Sequence, residues 1–171
     1  MSGTPAAVVF DVNETLSDLS SMARRFAEVG APEHLANLWF ASVLRDGFAV
    51  AATGGQEIFA VLAREGLRGL LAAHPSHREV EEAIEHIMTG FMDLPVHPDV
   101  LPAVRGLRGL GLRLVTLSNG SAQVAERLLS SAGVREDFEG CCQSRMRESG
   151  SLCEAHTSTP PSVVVSQRRT C

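Results

Sequence analysis

The stretch Ala7–Leu16, AVVFDVNETL, decides the fold of this chain of 171 residues. Its first four residues are apolar and rich in β-branched side chains, and a carboxylate follows at once. A short apolar run of this kind is typical of a buried strand in a parallel sheet. Asp11 then lies where the strand turns into a loop, so it either attacks a substrate as a nucleophile or caps the turn. The local pattern leaves both roles open.

A second strand is predicted at residues 112–117, LRLVTL, and the small polar residues Ser118-Asn119-Gly120-Ser121 follow it. A helix is predicted after them, from Ala122 to Ser131. Small residues at a helix start offer free backbone N–H groups to an anion, but they are also what any helix start prefers. Because the turn and Asp11 follow two strands of one predicted sheet, we favour a shared ligand site.

Between the two strands, residues 17–94 show apolar residues at three- and four-residue spacing, which predicts about four helices and no strand. A further helix from Pro98 leads into the second strand. The order strand, helical insertion, helix, strand, helix predicts a parallel sheet covered by helices. The sequence thus indicates an α/β fold with an incomplete Rossmann-like core (residues 1–16 and 95–140) and an all-helical cap (residues 17–94).

Composition limits the partners. The formal net charge of −5 gives no reason to expect nucleic acid or an anionic membrane. No apolar stretch approaches the roughly 18 residues of a membrane span, and the first residues do not resemble a secretory signal. The six His residues show no metal-ligand spacing. We therefore expect a cytoplasmic protein that uses no metal or other cofactor and acts on a small molecule.

The motif at Asp11–Leu16, the helical insertion and the motif Leu117–Ser121 together resemble the haloacid dehalogenase superfamily, and within it the type II (L-2-haloacid) dehalogenases. The resemblance covers residues 7–140. It implies that Asp11 displaces halide from the carbon next to a carboxylate and that water then cleaves the ester. It also implies that Asn13, Thr15, Ser118 and Asn119 lie at the substrate, with Ser118 and Asn119 holding its carboxylate or the leaving group. A homodimer is compatible with the intact family form.

Asn13 departs from the phosphatases of the superfamily, which carry a second Asp two residues after the nucleophile. An amide cannot exchange a proton usefully near neutral pH, so a phosphatase is disfavoured. The dehalogenases that the chain resembles usually have an aromatic residue at this position. Asn13 thus departs from both patterns. The substrate that the resemblance implies is a 2-haloacid or a related small carboxylate.

Residues 141–171 are predicted to be an irregular, disordered tail, because Ser, Thr, Arg and Cys dominate and helical periodicity ends. All four Cys lie here, and the whole chain lacks the Lys that the resemblance implies beyond the second motif. With suitable codons (TCT-GGA-AGC-CTG), a reading frame shifted by one base turns Ser149–Leu152 into Trp-Lys-Pro. The tail is thus expected to be a frameshifted, truncated family sequence, and the alternative to a hydrolase is an inactive, poorly folded fragment.

Overall fold

The computed structural model describes residues 7–55, 57–74, 77–118, 122–143 and 163–166. The chain divides into two compact units. One contains Met1–Asp18 and Pro95–Cys171, and the other is the intervening Leu19–Leu94. We call them the core unit and the cap unit. The sequence predicted a cap over residues 17–94, inserted into a core of residues 1–16 and 95–140.

Within the described residues, the core unit contains a sheet of four strands in the order β3-β2-β1-β4. Every neighbouring pair of strands is parallel. The strands are β1 (Ala7–Phe10), β2 (Arg113–Ser118), β3 (Gly140–Gln143) and β4 (Val163–Ser166). β1 and β2 are therefore the two central strands, and the predicted parallel α/β architecture is confirmed.

Two strands include residues of the interval that the sequence predicted to be irregular. Cys141–Gln143 belong to β3, and Val163–Ser166 form β4, which pairs with β1 from Ala7↔Val163 to Phe10↔Ser166. Valine is a residue type that favours strands, and the segment contains three in a row. The rest of the interval 141–171 lies outside the described residues, as does the stretch Ser149–Leu152.

Two helices connect the strands of the core unit. α5 (Val100–Gly109) leads into β2, and α6 (Ala122–Ser131) follows it with the bounds that the sequence predicted. Their apolar faces pack with the central strands into one buried cluster. Its members are Val8, Val12, Leu16, Val100, Val104, Leu114, Ala125, Leu128, Leu129, Val134 and Phe138. Val12 and Leu16 belong to the loop after β1, so the core packing also anchors this loop.

The cap unit contains four α-helices among its described residues: α1 (Met22–Glu28), α2 (Leu35–Ala52), α3 (Phe59–Ala73) and α4 (Val80–Met92). A short 3-10 helix, Leu19–Ser21, precedes α1. The unit has its own buried core, in which the ring of Trp39 lies 5.5 Å from that of Phe91 and 6.0 Å from that of Phe26. The all-helical prediction is thereby confirmed.

On the surface of the cap unit, ion pairs join neighbouring helices. Arg64 on α3 forms a two-pronged contact with Glu85 on α4, and Arg68 contacts Glu81. Exposed pairs of this kind contribute little to stability, so the apolar core carries most of it. In the described parts of the chain, we find no helix with the length and apolarity of a membrane span.

Candidate active site

The site is built at the carboxyl ends of the two central strands. Phe10, the last residue of β1, pairs with Thr116, and β2 ends two residues later at Ser118. Asp11 and the loop after it therefore begin beside the end of β2. Open parallel sheets bind their ligands at this edge, because strands end there in loops and helix N-termini.

The loop after β1 closes on itself within a few residues. The backbone N–H groups of Leu16 and Ser17 both donate to the carbonyl of Val12, each at 3.0 Å. Glu14, at the top of this turn, has a φ of 60°, in the left-handed region. Its backbone N–H donates to the hydroxyl of Ser17 at 3.3 Å. A tight turn of this kind holds the side chains of the loop in fixed directions.

The base of the loop is tied to the segment that enters α5. Asp18 donates its backbone N–H to the carbonyl of Pro95 at 2.8 Å, and His97 donates to that of Leu16 at 3.0 Å. Ser17 forms an antiparallel bridge with Val96. The loop is thus braced by a second segment of the core unit, in addition to its own hydrogen bonds.

Asp11 is partly buried, and this burial raises the pKa of its carboxyl above the ordinary value, since a charged group loses hydration there. Two hydrogen bonds to the carboxylate lower the pKa and partly offset that effect. They come from the backbone N–H of Val12 and from the hydroxyl of Thr15. A carboxylate that has lost part of its hydration reacts more readily with an electrophile than one in bulk water.

The structure places the other predicted site residues as follows. Asn13 is partly buried and forms a bridge with Ser17, while Ser118 is only 3% exposed at the end of β2. Asn119 lies outside the described residues, as do Gly120 and Ser121. The strand register thus brings Asp11 and Ser118 to one edge of the sheet, and Thr15 belongs to the loop that begins there.

The sequence did not predict two buried polar residues near the site. Ser17 is buried, with 3% exposure, although nothing in the pattern around Leu16 distinguishes it from an exposed loop serine. Thr116 lies two residues before Ser118, on the same face of β2. It is fully buried, and its hydroxyl has no hydrogen-bond partner among the described residues. The alternation of apolar and polar residues along β2 does not reveal this, because both faces of a central parallel strand are covered.

The described part of the chain contains no cluster of side chains typical of a metal site. No three His, Cys, Asp or Glu side chains there lie close enough together to hold an ion. The described site consists of a carboxylate, hydroxyl groups and backbone N–H groups. Such a set suits nucleophilic attack and the binding of a small polar substrate.

A parallel α/β core with a helical insertion and a carboxylate at the end of its first strand defines a class of capped hydrolases. The family model of the haloacid dehalogenase-like hydrolases matches residues 5–153, and the chain belongs to this family. The (S)-2-haloacid dehalogenase of Pseudomonas putida is 27% identical over 134 residues, which cover 77% of this chain and 59% of that protein. The resemblance to haloacid dehalogenases is thus confirmed.

Solved structures agree with this assignment. A crystal structure of an L-2-haloacid dehalogenase is 28% identical, with a TM-score of 0.75, and the match covers 82% of this chain and 64% of that one. The L-2-haloacid dehalogenase of Xanthobacter autotrophicus is 25% identical, with a TM-score of 0.70, over 82% of this chain and 57% of that one. The chain therefore spans about three fifths of the length of these relatives.

Proposed function

We propose that the chain is a hydrolase of carbon–halogen bonds in 2-haloacids, with Asp11 as the nucleophile. One observation carries the proposal: the Asp11 carboxylate, bound by Thr15 and the Val12 amide, follows a central strand whose neighbour ends at Ser118. Family membership supports the hydrolase class. The dehalogenase relatives support the choice of a 2-haloacid among substrates.

The proposed reaction has two steps. A carboxylate oxygen of Asp11 attacks the carbon that bears the halogen, and the halide leaves with the electron pair of the broken bond. This forms an ester between Asp11 and the substrate. Water then attacks the carboxyl carbon of the ester, which releases a 2-hydroxyacid and a proton and regenerates the carboxylate. No metal or other cofactor takes part in either step.

The remaining site residues would bind the substrate and orient the nucleophile. Ser118 and Asn119 would hold the substrate carboxylate or the departing halide through hydroxyl and amide donors. Thr15 would orient Asp11 through the hydrogen bond that it donates. Asn13 would contact the substrate as an amide, and because it cannot exchange protons near neutral pH it argues against phosphate ester hydrolysis.

The second candidate is an inactive member of the family. The 171 residues contain no Lys, whereas the resemblance implies one that offsets the charges of the nucleophile and the substrate carboxylate. Two negative charges in a partly buried site repel each other unless a cation lies nearby. This candidate, an inactive and poorly folded fragment of such an enzyme, predicts that the chain does not release halide.

Halide release from 2-chloropropionate by the full chain distinguishes the candidates. Asp11→Asn keeps the size of the side chain and removes the nucleophile, so we expect a loss of at least roughly a thousandfold in rate. Asp137→Asn is the matched control. Asp137 lies in a short 3-10 helix that precedes β3, at the amino ends of the parallel strands, whereas Asp11 follows the carboxyl end of β1. It should leave the rate unchanged.

Two results would contradict the proposal. If the wild-type protein releases no halide, the inactive candidate is correct. If Asp11→Asn releases halide as fast as the wild type, another group is the nucleophile. Release of phosphate from a general phosphatase substrate at a comparable rate would contradict the interpretation of Asn13.

A further inference from the structure

The left-handed residue of the site loop is a glutamate. Glu14 has a φ of 60°, a conformation that glycine adopts freely and that a residue with a Cβ adopts at a cost. Such a conformation persists only when the surrounding structure holds it. A contact that holds Glu14 in place is therefore needed, and the loop provides one.

One contact of the Glu14 backbone is the hydroxyl of Ser17. It accepts the backbone N–H of Glu14 at 3.3 Å, three residues back along the chain. Ser17 itself is fixed, since its side chain is buried and its backbone N–H donates to the carbonyl of Val12. It also forms the bridge with Val96 in the segment that enters α5. The Ser17 hydroxyl is thus a fixed acceptor for the backbone N–H of Glu14, a residue in a strained conformation.

We propose that Ser17 is a positioning residue of the site: its hydroxyl holds the Glu14 amide and so keeps the left-handed turn that presents Thr15 to Asp11. Its part in the reaction rests on the proposed function, whereas the effect on the loop does not.

The consequence for Asp11 follows from the position of Glu14 in the chain. Glu14 directly precedes Thr15, so a return of Glu14 to negative φ would redirect the Thr15 backbone and its side chain. The hydrogen bond from the Thr15 hydroxyl to the Asp11 carboxylate would then be lost. Since this bond lowers the pKa of Asp11, its loss would raise that pKa further.

Ser17→Ala in the full chain tests the proposal, with Ser131→Ala as the matched control. Ser131 also makes one hydroxyl hydrogen bond, to the carbonyl of Leu128 at the end of α6. Hydrogen exchange by NMR should show the Glu14 amide exchanging roughly five- to tenfold faster in Ser17→Ala, as expected for the loss of one hydrogen bond. Carboxyl NMR titration should show a higher pKa for Asp11, and Ser131→Ala should change neither value.

The kinetics of halide release by Ser17→Ala provide a second measurement. Because Ser17 positions the nucleophile without touching substrate, kcat should fall with little change in KM, and the acid limb of the pH profile should move to higher pH. If the wild type releases no halide, the proposed function fails, but the exchange and titration results still decide the role of Ser17. An unchanged Glu14 exchange rate together with an unchanged Asp11 pKa would overturn the proposal.

A second variant keeps the test valid if Ser17→Ala does not fold. Glycine adopts the φ of position 14 without help, so Glu14→Gly should make the hydroxyl dispensable. We expect the same Asp11 titration in Glu14→Gly and in the double variant Glu14→Gly/Ser17→Ala. A difference between these two variants would show that the hydroxyl acts on Asp11 by another route and would contradict the proposal.

Discussion

Trp39→Phe measures how strongly the cap unit depends on one buried ring. Trp39 is 1% exposed, and its indole N–H donates to the carbonyl of Ala63 on α3 at 2.9 Å. The ring also makes an edge contact with Phe91 on α4, with the centroids 5.5 Å apart. The side chain thus connects α2 with two other helices through a hydrogen bond and through apolar contact.

The expected cost has two parts. Loss of the hydrogen bond costs about 1 kcal/mol. The smaller ring leaves a void of roughly 40 Å³, which at about 24 cal/mol per Å³ costs on the order of 1 kcal/mol. Trp39→Phe should therefore lower the free energy of unfolding by about 2 kcal/mol, and Trp39→Ala by about 3–5 kcal/mol.

Urea unfolding followed by far-UV circular dichroism measures this change, because the variants lack the only Trp of the chain and its fluorescence. Leu38→Ala is the control on the same helix. Leu38 is 52% exposed, and its truncation should change stability by only about 0.5 kcal/mol. A cost for Trp39→Phe no larger than that of Leu38→Ala would refute the reasoning.

Two further predictions concern strain and charge. Gly30 has a φ of 84°, and a Cβ there would clash with the ring of His77, so Gly30→Ala should destabilise the chain by about 2 kcal/mol. Gly69 lies inside α3 with open space around it, so Gly69→Ala should stabilise the chain by about 0.5–1 kcal/mol. Equal melting temperatures for these two variants would contradict this. Burial raises the pKa of Asp11, so its ionisation costs stability as the pH rises through the folded-state pKa. Asp11→Asn should therefore be more stable than the wild type near neutral pH, with the difference vanishing in acid; a variant less stable than the wild type at neutral pH would show that the carboxylate stabilises the fold.

Local sequence patterns were enough to predict the elements that frame the site. The apolar run before Asp11 predicts β1, and the small residues after Ser118 together with the apolar spacing beyond them predict α6 from Ala122 to Ser131. These signals are local, because strand and helix periods show directly in the order of side chains. The parallel arrangement followed from the connection rules for strand, helix and strand.

Two features could not be predicted, because they depend on contacts and not on patterns. The pairing of β4 with β1 joins segments more than 150 residues apart, and a run of valines does not specify which edge it joins. The left-handed residue of the site loop is Glu14. A glycine at this position would have predicted a positive φ, but a glutamate does not. The hydroxyl of Ser17 that holds this turn looks in the sequence like any loop serine.

Transfer of oxygen through Asp11 tests the central claim most directly. After many turnovers with 2-chloropropionate in isotope-labelled water, mass spectrometry of the peptide that contains Asp11 should show the label in this side chain, because water attacks the carboxyl carbon of the ester. In a single turnover the hydroxyl oxygen of the product should come from Asp11 and carry no label. Product labelled in its first turnover, with an unlabelled Asp11, would show that water attacks the substrate directly and would contradict the account.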